Sequence, residues 1–166
     1  MKAYRIHEYG DAAKFIEDEV NKPSAKKGHV VIEVKASSLN PIDHKFLKRD
    51  LGINPALPGI LHMDVAGVIT EVGEGVTAFK TDDEIYGCAG GLQGEAGNIE
   101  GALADFMLAD SNLIALKPKS LSFSESAALP LVTITAWEGL FDRAHIKKED
   151  HVLVHGGTGG VGHIAI

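Results

Sequence analysis

The chain has 166 residues, enough for one domain, or for one domain and part of another. It carries 23 acidic against 16 basic residues, a formal charge of -7, which argues against a nucleic-acid partner because no basic surface is available for phosphates. Its one cysteine, Cys88, excludes an internal disulfide and a zinc site built from several thiolates. The first residues lack the apolar core of a signal peptide, and no stretch approaches the roughly 18 apolar residues of a membrane span. We therefore expect a cytoplasmic protein with no membrane partner.

Short runs of β-branched and other apolar residues, separated by turn residues, dominate the first two-thirds of the chain. They predict six strands, at residues 2–7, 30–36, 65–72, 84–87, 102–109 and 113–116. Short strands with irregular connections indicate a small antiparallel barrel or sandwich. Residues 87–101 contain six glycines and few apolar anchors, which predicts a mobile surface loop.

Helical signals begin after Ser120. Hydroxyl residues that can cap a helix, Ser122 among them, precede an apolar run, and Pro130 stands where a second helix can begin without losing a hydrogen bond. Small and apolar residues then recur four positions apart, at Ala136, Leu140 and Ala144. The aromatic residues of this region are predicted to belong to the core; they are Phe123, Trp137 and Phe141.

An apolar strand predicted at residues 152–154 leads into a glycine-rich turn. Gly157, Gly159 and Gly162 satisfy the G-x-G-x-x-G spacing, and the residues after them are compatible with a helix. In dinucleotide-binding proteins the first glycine makes a tight turn, the second admits the pyrophosphate and the third packs the helix on the strand. Free N–H groups at the start of the helix then face the phosphates. The pattern predicts a dinucleotide site; the alternative is a glycine-rich turn that binds no ligand.

The sequence ends at Ile166, about one helical turn after Gly162. So short a helix is unstable by itself, and a single strand cannot form a doubly wound sheet. The acidic residue about 20 positions further on, which would bind the ribose, lies beyond the end. We therefore expect this sequence to be part of a longer protein, or to need a partner that completes the fold.

Six motifs occur in a familiar order along the chain. They are Met1-Lys-Ala, Asn40-Pro-Ile-Asp43, Pro58-Gly59 leading to Met63–Ile69, Val72–Val76, Leu129–Trp137 and Gly156–Gly162. On these residues the chain resembles the N-terminal half of a medium-chain dehydrogenase/reductase, in the zinc-independent quinone oxidoreductase (zeta-crystallin-like) branch. The resemblance implies a mainly β fold: a GroES-like barrel over residues 1–120, followed by the truncated start of an α/β Rossmann domain over residues 121–166.

The resemblance also bears on metal binding. Zinc alcohol dehydrogenases of this superfamily have a thiolate at the position of Asn40 and a histidine–glutamate pair at the positions of Met63 and Asp64. Asparagine and methionine do not supply the nitrogen and sulfur ligands of a catalytic zinc. The structural zinc of those enzymes needs four clustered cysteines, and this chain has one. We therefore expect no metal and no zinc.

Three residues of the Asn-Pro-x-Asp region are candidate catalytic residues because of the resemblance. It implies that Asn40 and Asp43 lie in the cleft near the nicotinamide, and that Lys45 faces the reacting carbon as some relatives' lysine does. A lysine there can donate a proton to a developing enolate or stabilise its charge. Each residue has an ordinary alternative role: Asn40 as a turn residue before a proline, Asp43 as a helix cap, and Lys45 as a solvated surface charge.

Seven residues are candidates for binding the cofactor, some through the resemblance and the others through the glycine spacing and the hydroxyl in the loop. They are Thr135, Gly157, Thr158, Gly159, Gly160, Val161 and Gly162. Two departures from the family pattern are present, since Thr133 stands where a small residue is common and Gly157-Thr158 replace an alanine or serine. A hydroxyl at Thr158 adds a possible phosphate contact. The family implies NADPH, with NADH as the other option.

The sequence therefore predicts part of an NADPH-dependent oxidoreductase that passes hydride to a small quinone or an α,β-unsaturated carbonyl. The resemblance implies a homodimer in the complete protein. Two alternatives stay open: a non-catalytic GroES-like module without cofactor affinity, and, less favoured for want of ligands, a zinc alcohol dehydrogenase.

Overall fold

The computed structural model describes residues 1–94 and 97–166, and the bounds below refer to these residues. The strands are β1 (Lys2–Ile6), β2 (Ile16–Glu19), β3 (His29–Ser38), β4 (Gly59–Ile60), β5 (Asp64–Val72), β6 (Glu84–Cys88), β7 (Leu92–Gly94), β8 (Gly97–Ile99), β9 (Phe106–Asp110) and β10 (Ile114–Leu116). The α-helices are α1 (Pro41–Lys48), α2 (Phe123–Ala127), α3 (Pro130–Trp137) and α4 (Gly162–Ala165). A 3-10 turn, Ser111–Leu113, precedes β10, and a π-helical segment, Glu138–Arg143, continues α3.

Five antiparallel strands form the main sheet, in the order β10-β6-β5-β3-β9. The β-branched runs of β3 and β5 make the long central pair, and their inner side chains supply most of the buried apolar core. β1 pairs with β2 and β4 in a second sheet, and a bridge between Ala3 and Ala104 connects that sheet to the segment before β9. The mainly β fold predicted from the sequence is confirmed.

Helix α1 closes one end of the barrel. Phe46 projects from it into a second apolar cluster with Ile6 and Leu61, and all three side chains are fully buried. Burial of one aromatic and two aliphatic side chains contributes several kcal/mol, about 1.5–3 each, which fixes α1 against the barrel. The position of α1 matters for the site because its first residues carry two of the candidate catalytic side chains.

Two predictions for the middle of the chain are wrong. The strand predicted at residues 102–109 begins only at Phe106, because the N–H groups of Ala102 and Leu103 bind the carbonyls of His62 and Leu61 instead. The loop predicted at residues 87–101 contains the hairpin of β7 and β8. It is anchored both by Leu92, which packs against the cluster of Ile6, Phe46 and Leu61, and by the Gln93 N–H, which donates to the Ile53 carbonyl. Residues 95 and 96 of that stretch lie outside the described residues.

The helices after residue 120 begin where the sequence predicts. Ser122 and Glu125 form a reciprocal capping box at the start of α2, and Pro130 occupies the first turn of α3. Helix α2 packs on β3, β5 and β6, so this segment continues the packing of the barrel. The prediction that the aromatics are core residues is wrong for Trp137 and Phe141, which are 57% and 42% exposed and stack on each other. They lie on an outer helical face that no described segment covers.

The strand predicted at residues 152–154 is not formed. A strand exists through its pairing, and none of the described segments pairs with these residues, so Leu153 is left 92% exposed. The glycine-rich turn and the helix predicted after it are present, with α4 beginning at Gly162. Among the described residues no helix has the length and apolar character needed to cross a membrane.

Candidate functional site

The carboxylate of Asp64 is the centre of a buried polar cluster between the barrel and helix α3. Its Oδ2 accepts hydrogen bonds from the Ser38 hydroxyl at 2.7 Å and from the Asn40 amide at 2.9 Å. Its Oδ1 accepts the backbone N–H of Leu131, in the first turn of α3, at 3.0 Å. Asp64 is completely buried, so these donors take the place of water around the carboxylate.

The strand pairing explains why these groups meet. Ser38 and Asp64 are paired residues at the end of β3 and the start of β5, and a shift of register between Val34 and Ala36 precedes them. Such bulges alter the direction of the side chains that follow. Burial raises the pKa of the Asp64 carboxyl above its ordinary value, and the hydrogen bonds from Ser38, Asn40 and Leu131 act in the opposite direction.

Asn40 and Asp43 form the start of helix α1, where the structure brings them together. Asn40 is the N-cap residue, and its backbone N–H donates to Asp43 Oδ2 at 2.8 Å. The other oxygen of Asp43 accepts the backbone N–H of His62 at 3.0 Å. Asn40 also donates its side-chain amide to Ser38 at 3.2 Å, in addition to Asp64. Both residues are buried, and they hold α1 and the segment before β5 in place.

His62 lines the same region from the segment before β5. Its Nδ1 lies 2.9 Å from the Ser37 hydroxyl, and its ring meets Phe15 edge-on with 6.3 Å between centroids. Burial lowers the pKa of His62 below 6.5, while the carboxylates of Asp43 and Asp64 oppose that shift. The backbone of His62 has a φ of 71°, a left-handed conformation that only a few per cent of non-glycine residues adopt.

Cys88 completes the cluster at the end of β6, where it pairs with Asp64. Burial, reinforced by the Asp64 carboxylate, raises the pKa of the Cys88 thiol to about 12. The thiolate is the nucleophilic and metal-binding form of cysteine. At neutral pH this side chain is therefore a protonated, unreactive thiol.

Lys45 is not part of this cluster. It lies on the exposed face of α1, whereas Asp43 and Phe46 face the interior. Two residues along a helix correspond to a rotation of about 200°, so Lys45 and Asp43 lie on nearly opposite faces. Within the described chain, no side-chain hydrogen bond or ion pair involves the Lys45 ammonium.

Helix α3 connects the buried cluster to the glycine-rich loop. Its first turn is held by Asp64 through Leu131, and the helix also packs against α4. Thr135 is exposed on this helix, with its hydroxyl donating to the Leu131 carbonyl at 2.9 Å. Gly160 of the loop faces Val132 on the same helix: a methyl group at Gly160 would lie 3.5 Å from Val132 Cγ1, an ordinary contact.

The glycine-rich loop folds tightly on itself. Gly156 adopts a φ of 78°, and the Gly159 N–H donates to the Gly156 carbonyl at 2.9 Å. A methyl group at Gly162 would lie 2.8 Å from Gly157 Cα and closer still to the Gly156 carbonyl oxygen, so only glycine fits there. Thr158, Gly159 and the two residues after them remain exposed. A cradle of small residues with an accessible backbone fits the pyrophosphate of a dinucleotide.

The donor set of the buried cluster does not suit a metal ion. In residues 1–94 and 97–166 there is no group of three or more histidine, cysteine, aspartate or glutamate side chains placed to hold one. The oxygens of Asp64 already accept three protein hydrogen bonds, and Asn40 supplies an amide where a thiolate would be needed. Two shallow surface depressions of about 320 and 330 Å³ lie elsewhere on the barrel and include neither Asp64 nor the glycine loop.

The sequence interpretation missed Asp64 as a member of the site. The signal available was an acidic residue directly before a buried apolar strand, since Asp64 precedes Val65-Ala66-Gly67. A charge at such a position needs buried partners. Those partners, residues 38, 40 and 131, lie 24 or more positions from Asp64 in sequence, so the pattern alone could not name them.

Comparison with known proteins identifies the barrel. Residues 26–119 match the alcohol dehydrogenase GroES-like domain, which is more than half of the chain. The chain is 41% identical to a 2-methylene-furan-3-one reductase of Solanum lycopersicum and 37% identical to a chloroplastic NADPH-dependent alkenal/one oxidoreductase of Arabidopsis thaliana. Each alignment covers 100% of this chain and 43% of the relative. It is also 34% identical to a quinone oxidoreductase of Rattus norvegicus, over 98% of this chain and 47% of the relative.

Solved structures show the same relationship. An alcohol dehydrogenase superfamily protein of Novosphingobium aromaticivorans superposes with a TM-score of 0.90 at 37% identity, over 99% of this chain and 49% of that one. The Escherichia coli quinone oxidoreductase complexed with NADPH superposes with a TM-score of 0.81 at 26% identity, over 99% of this chain and 48% of that one. The chain spans about half the length of the relatives it matches. It belongs to the alcohol dehydrogenase GroES-like family of medium-chain dehydrogenases/reductases, and its relatives include the quinone oxidoreductases.

Proposed function

We propose that this chain supplies the catalytic barrel (residues 1–120) and the first part of the nucleotide-binding domain (residues 121–166) of an NADPH-dependent, zinc-independent oxidoreductase. Its substrate would be a small quinone or an α,β-unsaturated carbonyl, reduced by hydride transfer. The relatives named for NADPH-dependent reduction of alkenals and for quinone reduction support this choice. We further propose a cytoplasmic homodimer, on the family resemblance alone.

One structural observation carries the proposal. The Asp64 carboxylate binds Asn40 of the barrel with one oxygen and Leu131 of α3 with the other. It therefore joins the barrel cleft to the helix that packs beside the glycine-rich loop. A barrel with only a structural role would not require this buried charged connection to a nucleotide-binding element.

The cofactor would be held by the glycine-rich loop. Gly157, Gly159 and Gly162 permit the tight turn and close approach, while the backbone of Gly160 and Val161, with the Thr158 hydroxyl, would bind the pyrophosphate. Thr135 would contact the cofactor from helix α3. NADPH supplies a hydride from its nicotinamide ring when bound, and the protein must position the acceptor and provide a proton.

The residues of the Asn-Pro-x-Asp motif have different roles in this proposal. Asn40 and Asp43 are positioning residues, because their hydrogen bonds fix the start of α1 and the backbone of His62. Lys45 is the proposed proton donor: hydride addition to the β carbon of an enone leaves an enolate, and the Lys45 ammonium would protonate it or stabilise its charge. Its ammonium is exposed on the face of α1 nearly opposite Asp43, so this role requires the substrate to reach that exposed face.

The test is NADPH oxidation by the native protein that carries this chain, with a benzoquinone and with a simple enone as acceptors. We expect turnover that a chelator such as EDTA does not reduce. Loss of activity on chelation would contradict zinc independence. A folded protein with neither NADPH affinity nor turnover would favour the non-catalytic module.

A matched pair of variants tests the proton donor. Lys45→Ala should lower kcat by about 10²-fold or more, with little change in NADPH affinity. Lys48→Ala, one turn further on the same helix and paired with Asp11, should leave kcat unchanged. Equal kcat values for Lys45→Ala and the wild type would remove Lys45 from the mechanism.

A further inference from the structure

We propose that Asp64 is the positioning residue that sets the cofactor-binding helix relative to the barrel cleft. It acts through opposite oxygens of one carboxylate, one bound to Asn40 and the other to Leu131. Only the kinetic test of this inference, which measures kcat, rests on the proposed function. The structural test, which measures amide hydrogen exchange at Leu131, requires no cofactor.

The geometry gives the carboxylate a function that no neighbouring side chain duplicates. Within residues 1–94 and 97–166, Asp64 is the one acceptor of the Leu131 N–H, a group in the first turn of α3 where backbone donors have no partner within their own helix. The side-chain amide of Asn40 and the Ser38 hydroxyl bind the second oxygen. A displacement of Asp64 must therefore move the start of α1 and the start of α3 relative to each other.

The chemistry of an asparagine at position 64 makes the idea testable. Asparagine has the shape of aspartate, but one of its two acceptor oxygens is replaced by an NH₂ donor. In Asp64→Asn, the new NH₂ must face either the Leu131 N–H or the Asn40 NH₂, both of which are donors. With the Asn40 amide in its present orientation, donating to Ser38 and to position 64, one side of the connection is lost either way. Asp64→Leu, which leaves no acceptor at position 64 for Leu131, tests the case in which the Asn40 amide turns over.

Exchanging the two residues reverses the hydrogen bonds among positions 38, 40 and 64, keeps position 64 as the acceptor of the Leu131 N–H, and restores the network. In Asn40→Asp/Asp64→Asn, the oxygen at position 64 accepts from Leu131 and its NH₂ donates to the carboxylate at position 40. The Ser38 hydroxyl can turn to donate to position 40 and accept from position 64. Aspartate and asparagine are equally good N-cap residues, so α1 keeps its start.

The first readout is amide hydrogen exchange at Leu131, measured by NMR on the 166-residue chain. We expect exchange in Asp64→Asn to be about 10-fold faster or more, which is the effect of losing a hydrogen bond to a charged acceptor. The exchanged double variant should recover most of the protection. Asp83→Asn is the matched control: it alters another carboxylate that accepts a backbone N–H, that of Lys80, without contacting α3, and should leave Leu131 unchanged.

The second readout uses the native protein with NADPH and an enone. Asp64→Asn should lower kcat by about 10-fold or more while the Kd for NADPH changes less than about threefold, because the loop is intact but its placement against the barrel is not. The double variant should restore kcat. Loss of stability alone would lower the folded fraction without this split between kcat and Kd.

The outcomes are distinct. Leu131 exchange that is unchanged in both Asp64→Asn and Asp64→Leu overturns the proposal, and so does a folded double variant that recovers neither readout. If Asp64→Asn does not fold, folding of the double variant supports the paired geometry, and failure of both overturns it. A wild-type protein that fails to oxidise NADPH contradicts the proposed function but leaves the exchange experiment able to decide the connection.

Discussion

Replacing Gly162 by alanine should weaken NADPH binding by about 10- to 100-fold. The added methyl group would lie 2.8 Å from Gly157 Cα, whereas carbon atoms in favourable contact are about 3.5–4.0 Å apart. The loop must therefore move by roughly 1 Å, and overpacking of this size costs about 1–3 kcal/mol. In the protein without NADPH, the loop relieves the strain by moving. Binding of NADPH requires the original shape, so the strain energy weakens binding, and each 1.4 kcal/mol raises the Kd about tenfold.

The assay is a fluorescence titration of the native protein with NADPH, accompanied by a thermal unfolding curve. Gly139→Ala is the control, because a methyl group there meets no atom within 4 Å and the residue lies in an exposed helical segment. We expect the control to keep the wild-type Kd and to gain about 0.5–1 kcal/mol of stability. A Gly162→Ala protein whose Kd stays within about threefold of the wild type would refute the role given to this glycine.

Three further predictions concern the chain itself. Ser122→Ala removes one half of a capping box and should lower the free energy of unfolding, measured with urea, by about 1 kcal/mol. The control Ser124→Ala, at an exposed position within α2, should change it by less than about 0.5 kcal/mol. Equal losses in the two variants would argue against the cap. Cys88, whose thiol pKa is raised to about 12, should react slowly with a thiol reagent at pH 8 and rapidly in urea, and rapid labelling of the folded chain would contradict its burial. Because the pKa of His62 is lowered in the folded state, the unfolded state binds a proton first as the pH falls below 6.5, so stability should decrease from that pH downward. His62→Gln should make this decrease shallower, and an unchanged pH dependence between pH 7.5 and 5.5 would show that His62 does not contribute.

The central part of the fold was predictable because its signals are local. The β-branched runs of β3 and β5 and the turn residues that end them identify the long strand pair. The same holds for the start of α3, where Pro130 both permits a helix and fixes its first residue. In each case the residues that determine the structure are adjacent in sequence.

Errors occurred where pairing or backbone contacts decide the outcome. Residues 152–154 have the composition of a strand, but a strand requires a neighbour, and none of the described segments provides one. The hairpin of β7 and β8 has few apolar side chains, of which Leu92 packs on the second apolar cluster, and it is also held by hydrogen bonds, including one from the Ala56 N–H to Asn98. A composition-based prediction gives such contacts no weight.

The site was predictable in part. The Asn40-to-Asp43 motif and the glycine-rich loop stand out as sequence patterns, and their local structures, a capped helix start and a tight turn, match those patterns. The connection between them depends on Asp64, whose partners come from two distant segments, residues 38–40 and the start of α3. Only the folded chain brings those donors around one carboxylate, which is why the sequence interpretation did not include it.

The central claim is hydride transfer from a nicotinamide to a conjugated acceptor. The most direct measurement uses NADPH in which both hydrogens at the nicotinamide C4 are deuterium, with a simple enone as the acceptor and the native protein as the catalyst. We predict a saturated ketone with one deuterium on its β carbon, determined by NMR of the product. A reduced product without deuterium at that carbon, or no turnover of the enone and of a quinone, would contradict the account.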